Sequence, residues 1–522
     1  MNQTHIVETS SGKLRGSLQQ GVYSFKGIPY GADTGGANRF KSAKPFVWTG
    51  VRDALAFGPR APQFEPPSCS PLHTWVRDPA PTAENCLVLN VFTSTLEQSA
   101  RRPVLIYLHG GGFVVGAGGA PGLDGRNMAR RDVVVLTLNH RLNLFGFLQL
   151  GDIDGGRYAE ASNAGMLDLV AALEWVRVNI DRFGGDPANV TIFGQSGGGS
   201  KVAVLMAMPR ARGLFHKAII QSASSLLRLA TLEEAERNTD FFLRTLGLKH
   251  SQVRHLLNFP AEILLKAQAA AVQAAGQVDN CRPVVDGHVV PSQPFDAAAV
   301  RLSAHVPLIA GWCENEQRLE FAANPGVFQC SAQEAVAATA HALDISDPEA
   351  KVLLAEYAIG RPRDKPGDLY AQAFGDHRFR RSVTGAAERQ IAWGGAPVYV
   401  YLLSWKTPVQ NGLLRAPHTL CIPFAFGNVD LATGITGSGG DRYRLQDEVS
   451  GAWLAFARTG DPNHAKLPHW PRYDIVERPT LVFDVQTRLV PDPWRAERIA
   501  LEPFARYEPA VHEGRLLASR MR

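Results

Sequence analysis

The chain has 522 residues, with 54 lysines and arginines against 49 aspartates and glutamates, a formal net charge of +5 at pH 7. So small an imbalance on so long a chain leaves no nucleic-acid footprint, and no basic cluster interleaves with aromatic residues. No run reaches the ~18 apolar residues that a membrane span needs, and the opening MNQTHIVETSSGKLRG lacks the apolar core of a secretory signal.

Taken along the chain, strand-like apolar runs occur at 103–108, 132–138, 190–193, 217–221, 306–310 and 397–403. Helical patterns such as 166–178 and 444–458 alternate with them. That alternation predicts an α/β fold, a mostly parallel sheet covered by helices. The alanine- and leucine-rich stretches 231–275 and 331–357 read as helices inserted to cap the active site. Pro/Gly-rich stretches near 58–81 and 432–440 read as surface loops. At ~150 residues per domain the length suggests three domains. No linker, repeat or low-complexity tract divides the chain, however, and a single domain over 1–522 is expected.

Chemistry enters at residues 190–199, VTIFGQSGGG. An apolar, β-branched run ends at Ser196, with Gly194 and Gly198 two residues to either side, and residues 200–208 read as helix. This is the G-x-S-x-G nucleophile elbow, whose turn from strand to helix is too tight for side chains beside the serine. The bland alternative is a serine in an ordinary glycine turn. A second strand run, 103–108, ends in His109-Gly110-Gly111-Gly112-Phe113 and weighs against that alternative. Acyl transfer builds negative charge on a carbonyl oxygen, so N–H donors must already be aimed at it. The backbone N–H groups of Gly111, Gly112 and Gly197 are the candidates, with His109 ordering the loop rather than acting as a base.

These segments identify a family. Residues 25–30 (FKGIPY), 84–91 (ENCLVLNV), 133–147 (VVVLTLNHRLNLFGF) and 179–186 (NIDRFGGD) resemble signatures of the type-B carboxylesterases, the α/β-hydrolase group that includes the cholinesterases. Asn85 stands for the usual Asp and His140 for the usual Tyr. Downstream, 456–463 (FARTGDPN), Trp470-Pro471 and 480–484 (TLVFD) also match, so the likeness runs from about residue 6 to 485.

The resemblance implies the remaining residues. A serine needs a histidine to take its proton and a carboxylate to hold that histidine. In this fold the chain order is Ser, then Asp or Glu, then His. Residues 418–427 (HTLCIPFAFG) look like the family segment that opens on the base, which makes His418 the candidate. Residues 307–317 (PLIAGWCENEQ) look like the strand and turn that carry the acid, at Glu316; Asn315 and Gln317 depart from the pattern, so Glu314 stays a competitor. Three further departures stand out. Gln195 replaces a glutamate, Cys421 replaces an acid that pairs with the equivalent of Ser222, and Lys201 occupies a buried helix position, where it would want a carboxylate partner. Cys69 and Cys86 stand in roughly the relation of the family's disulfide-linked pair, with two free thiols as the alternative.

The expected activity is hydrolysis of carboxylic esters through an acyl-enzyme, with Ser196, Glu316 and His418 as catalytic residues. Such chemistry asks for no metal or cofactor, and the expected partner is a small-molecule ester rather than nucleic acid or membrane. Carbamate or anilide hydrolysis with the same triad is the nearest alternative, and a non-catalytic binding module the more distant one. A cytoplasmic location is expected, or a secreted one if a presequence was removed, with a monomer or homodimer both open.

Overall fold

The computed structural model describes residues 3–64, 70–151, 155–224, 226–274 and 281–504. Strands β1 (Gln3–Thr9), β2 (Gly12–Gln19) and β3 (Val22–Pro29) form an antiparallel meander, and the short β4 (Val51–Asp53) pairs parallel with β2. They are followed by β5 (Val88–Thr93), β6 (Arg102–Leu108), β7 (Val134–Leu138), β8 (Gly185–Gln195) and β9 (Lys217–Gln221). A separate two-stranded parallel pair comprises β10 (Ala230–Thr231) and β11 (Val284–Val285). The main sheet is completed by β12 (Leu308–Cys313), β13 (Val398–Leu403), β14 (Pro479–Phe483) and β15 (Arg488–Pro491). Its order is β1-β2-β3-β5-β7-β6-β8-β9-β12-β13-β14-β15, parallel from β7 through β14.

The central strands are buried on both faces, and this is why they read as continuous apolar runs rather than alternating ones. Successive side chains still point opposite ways. Val104, Ile106 and Leu108 of β6 join the core beneath helix Ala164–Asn179, with Ile192 of β8 and Ile220 of β9. Leu105, Tyr107, Phe193 and Ile219 join the opposite core, packed with Trp453 and Leu454 of helix Asp441–Thr459. Helices on both faces of a large, mostly parallel sheet make this an α/β-hydrolase architecture.

Each of the six expected strand runs overlaps a strand of the sheet, the second and fifth starting only at Val134 and Leu308 and the third extended to Gly185–Gln195. The stretch 231–275 resolves into helices Leu232–Thr245 and Ala261–Ala274 with a 3-10 segment, His250–Leu257, between them. The stretch 331–357 becomes Ala332–Leu343 and Asp347–Gly360, started by capping boxes from Ser331 to Glu334 and from Ser346 to Glu349. The two Pro/Gly-rich stretches depart from the surface-loop expectation. Pro71–Val76 forms a 3-10 turn that buries Trp75, and Thr433–Thr436 forms a helical turn that buries Ile435. The two pack together because Gly434, lacking a Cβ, lets the backbones meet at the Pro71 carbonyl.

Among the described residues no helix is long and apolar enough to cross a membrane.

Candidate active site

The parallel strands deliver the candidate site residues at their carboxyl ends, where ligands of open α/β sheets bind. β8 ends at Gln195 and the helix Gly197–Met206 begins two residues later. Between them Ser196 takes φ 57° and ψ −126°, a conformation costly for a residue with a side chain. The Ser196 N–H donates to the Gln221 carbonyl at 2.8 Å, which holds the turn against β9. The flanking glycines are a steric requirement. A Cβ on Gly194 would strike the Gly198 backbone, and one on Gly198 would land on the Leu108 carbonyl.

The segment after β6 folds back over this turn. Gly111 and Gly112 have φ of 87° and 61°, left-handed values that favour glycine. The Gly112 and Gly197 backbones touch, since a Cβ on Gly197 would lie 2.6 Å from the Gly112 nitrogen. Among the described residues the N–H groups of Gly111, Gly112 and Gly197 have no protein acceptor. The loop is braced from outside. Gln63 exchanges two bonds with Gly116, donating at 3.0 Å and accepting at 2.8 Å. Asn143 donates to the Val114 carbonyl at 2.8 Å. Val272 of helix Ala261–Ala274 packs with Val114, so this part of the expected cap lies over the loop.

His418 and Glu316 meet beyond the carboxyl ends of the adjacent strands β13 and β12. His418 Nδ1 lies 2.5 Å from Glu316 Oε2, and the His418 N–H donates to the Glu316 carbonyl at 3.2 Å. The other carboxylate oxygen of Glu316 accepts from the Cys313 N–H at 2.7 Å, so both oxygens are used. Glu314 points elsewhere: its carboxylate accepts from Arg361 at 3.1 Å. Asn315, flagged as a departure, ties the two loops together. Its backbone N–H donates to the Ala416 carbonyl at 2.9 Å, and its side chain accepts from the Ala416 N–H at 3.2 Å and donates to Gln372 at 2.8 Å.

Two further side chains lie against His418. The Gln195 amide nitrogen lies 3.1 Å from His418 Nε2 and 3.4 Å from Nδ1. A group that close to both ring nitrogens sits over the face of the ring rather than in its plane. The Phe379 ring packs 4.7 Å from the imidazole centroid. Phe379 is presented by a π-helical turn, Asp376–Arg380, within a longer helical stretch. Such bulges recur at functional sites, but nothing in the apolar spacing marks one.

The remaining departures also have partners. Ser222 donates to the Cys313 sulfur at 3.7 Å, so it reaches Glu316 through the residue whose N–H holds the carboxylate. Lys201 donates to the His109 carbonyl at 2.8 Å. The His109 ring is buried, with Nδ1 2.9 Å from the Gly110 carbonyl, in keeping with a loop-ordering role. Burial and the Lys201 charge hold its imidazole well below the ordinary histidine range. Trp75, Trp312 and Phe328 are core residues. Phe321 packs among Phe328, Tyr370 and Phe374. Cys69 lies outside the described residues; Cys86 is a buried free thiol.

Residues 3–501 match the model of the carboxylesterase family. The chain is 36% identical to para-nitrobenzyl esterase of Bacillus subtilis, over 96% of this chain and 99% of that protein. It is 34% identical to phenmedipham hydrolase of Pseudarthrobacter oxydans, over 91% of this chain and 94% of that one. Among solved structures, the carboxylesterase EST55 of Geobacillus stearothermophilus superposes with a TM-score of 0.82 at 37% identity, covering 95% of this chain and 99% of its own. The chain belongs to the carboxylesterase family and is a carboxylic ester hydrolase.

Proposed function

We propose that the enzyme cleaves carboxylic esters through an acyl-enzyme on Ser196, with His418 as base and Glu316 as the carboxylate that orients it. The single observation that carries this reading is the 2.5 Å contact between His418 Nδ1 and Glu316 Oε2 beside a serine held at a strained strand-to-helix turn. With Nδ1 donating to Glu316, the neutral tautomer leaves Nε2 as the acceptor that a serine proton requires.

Ser196 Oγ attacks the acyl carbonyl as His418 takes its proton. The resulting oxyanion accepts from the N–H groups of Gly111, Gly112 and Gly197, which are fixed before the charge develops. The imidazolium is stabilised by Glu316 and returns the proton to the leaving alcohol. Water, deprotonated by His418, then releases the acid. Among the described residues no hydrogen bond joins Ser196 Oγ to His418; catalytic contacts of this kind commonly tighten only around bound substrate. Ser222 acts behind the acid, through Cys313.

Substrate preference is tested by p-nitrophenyl esters from acetate to decanoate, run beside a carbamate, an anilide and phenmedipham. Preference for the esters is the expected result; a higher kcat/KM on the carbamate or anilide would move the substrate class. Ser196→Ala tests the nucleophile: turnover should fall by at least about 10³-fold with the fold intact. A variant keeping a tenth of wild-type turnover would remove Ser196 from the role.

A further inference from the structure

We propose that Lys201 is a positioning residue for the oxyanion loop, fastening it to the nucleophile helix and placing positive charge beneath the developing anion. The inference rests on the serine-esterase reading above. Lys201 follows Gly197 by four residues on the helix Gly197–Met206, so both stand on one face, and helical side chains lean toward the N-terminus. Its side chain is wholly buried. Its ammonium donates to the His109 carbonyl at 2.8 Å and lies 5.6 Å from the centre of the Phe113 ring. It therefore touches both ends of the His109-Gly110-Gly111-Gly112-Phe113 segment. Three successive glycines have no side chains with which to anchor themselves, so the anchor must come from the flanks.

The surroundings suit a buried cation. The His109 and His140 rings stack at 5.1 Å, and burial with the Lys201 charge holds both imidazoles well below the ordinary histidine range, so both stay neutral. His140 stands where the family resemblance gives a tyrosine, and Lys201 is itself one of the departures from that pattern. Two separate departures in sequence thus meet in one pocket. A charge buried there acts through a low dielectric and attracts a full oxyanion more than a neutral ester carbonyl. Interactions that strengthen only in the transition state raise kcat and leave KM alone.

The test compares Lys201→Met, which removes both charge and donor, with Lys201→Gln, which keeps an N–H donor without the charge. Thermal unfolding checks that each is folded. On p-nitrophenyl butyrate, kcat should fall about 10- to 100-fold for Met and less for Gln. KM should move less than about threefold, because the ground state carries no charge to feel the loss. Affinity for a trifluoromethyl ketone, which forms a tetrahedral anionic adduct on the serine, should fall in parallel with kcat/KM. A folded Lys201→Met with wild-type kcat and adduct affinity, or a loss confined to KM, overturns the proposal. Should the Met variant not fold, wild-type kcat in Lys201→Gln overturns it. An active Ser196→Ala enzyme would instead remove the reading on which the proposal stands.

Discussion

Glu316 and His418, 102 residues apart in sequence, meet at 2.5 Å, while Glu314, two residues before Glu316, is bound by Arg361. The two glutamates diverge because the turn after β12 sends one toward the histidine loop and the other toward the helix Asp347–Gly360 and the residue that follows it.

Glu316→Gln should therefore lower kcat by about 10³–10⁴-fold, since it keeps the shape but no longer stabilises the imidazolium. Glu314→Gln should leave kcat within about threefold and cost stability instead, because Arg361 loses one of its buried carboxylates. Steady-state kinetics and urea unfolding on both variants decide the matter. The reverse ranking would move the acid to Glu314.

Gln195→Glu would put a carboxylate where the amide now lies against the His418 ring. A negative charge there favours the imidazolium, which cannot accept the serine proton. The acid limb of kcat/KM should move to higher pH, by about 0.5–1 unit. Gln195→Met, similar in size and uncharged, should leave the limb in place. An unshifted profile in Gln195→Glu would mean that the side chain turns away from the ring.

His377 gives a stability test. Burial, with Arg381 and Arg378 beside it, pushes its imidazole down to about 3, and Arg381 donates to its Nδ1 at 3.1 Å. The folded state thus keeps His377 neutral while the unfolded chain takes up a proton near the ordinary value of about 6.5. Its contribution is whole above pH 6.5 and is lost as pH falls toward 3, by at most about 1.4 kcal/mol per pH unit. His377→Asn keeps an acceptor for Arg381 and cannot titrate. The stability difference between wild type and variant should shift in the variant's favour from pH 7 to pH 5, read by urea unfolding. A difference constant with pH would show that the folded state protonates His377 as readily as the unfolded one.

Gly198→Ala should destabilise the protein by about 1–3 kcal/mol and lower kcat, because its Cβ would press on the Leu108 carbonyl, a backbone atom that cannot rotate away. Chemical denaturation measures the first effect and p-nitrophenyl ester turnover the second. Wild-type stability would show that the loop after β6 can move off the elbow.

Much of this enzyme was legible without coordinates. Buried parallel strands announce themselves as short apolar runs, and the elbow and the HGGGF loop are local shapes that only glycine permits, so sequence alone determined the sheet and the tight turn at Ser196, and marked the candidate donors. The likeness to the family pointed to His418 as the candidate base and to two glutamates as candidate acids. What only the tertiary structure decided is which side chains meet once distant strand ends converge: Glu316 rather than Glu314 on His418, Ser222 on Cys313, Lys201 on the His109 carbonyl, and Phe379 on the imidazole by way of a π-helical turn. The buried Trp75 and Ile435 belong with these, since Pro/Gly-rich composition describes a backbone that can turn, not what it turns against. Local pattern reports the conformation of a segment and whether it is buried. A pairing across a hundred residues depends on sheet order and side-chain direction, which no single segment contains.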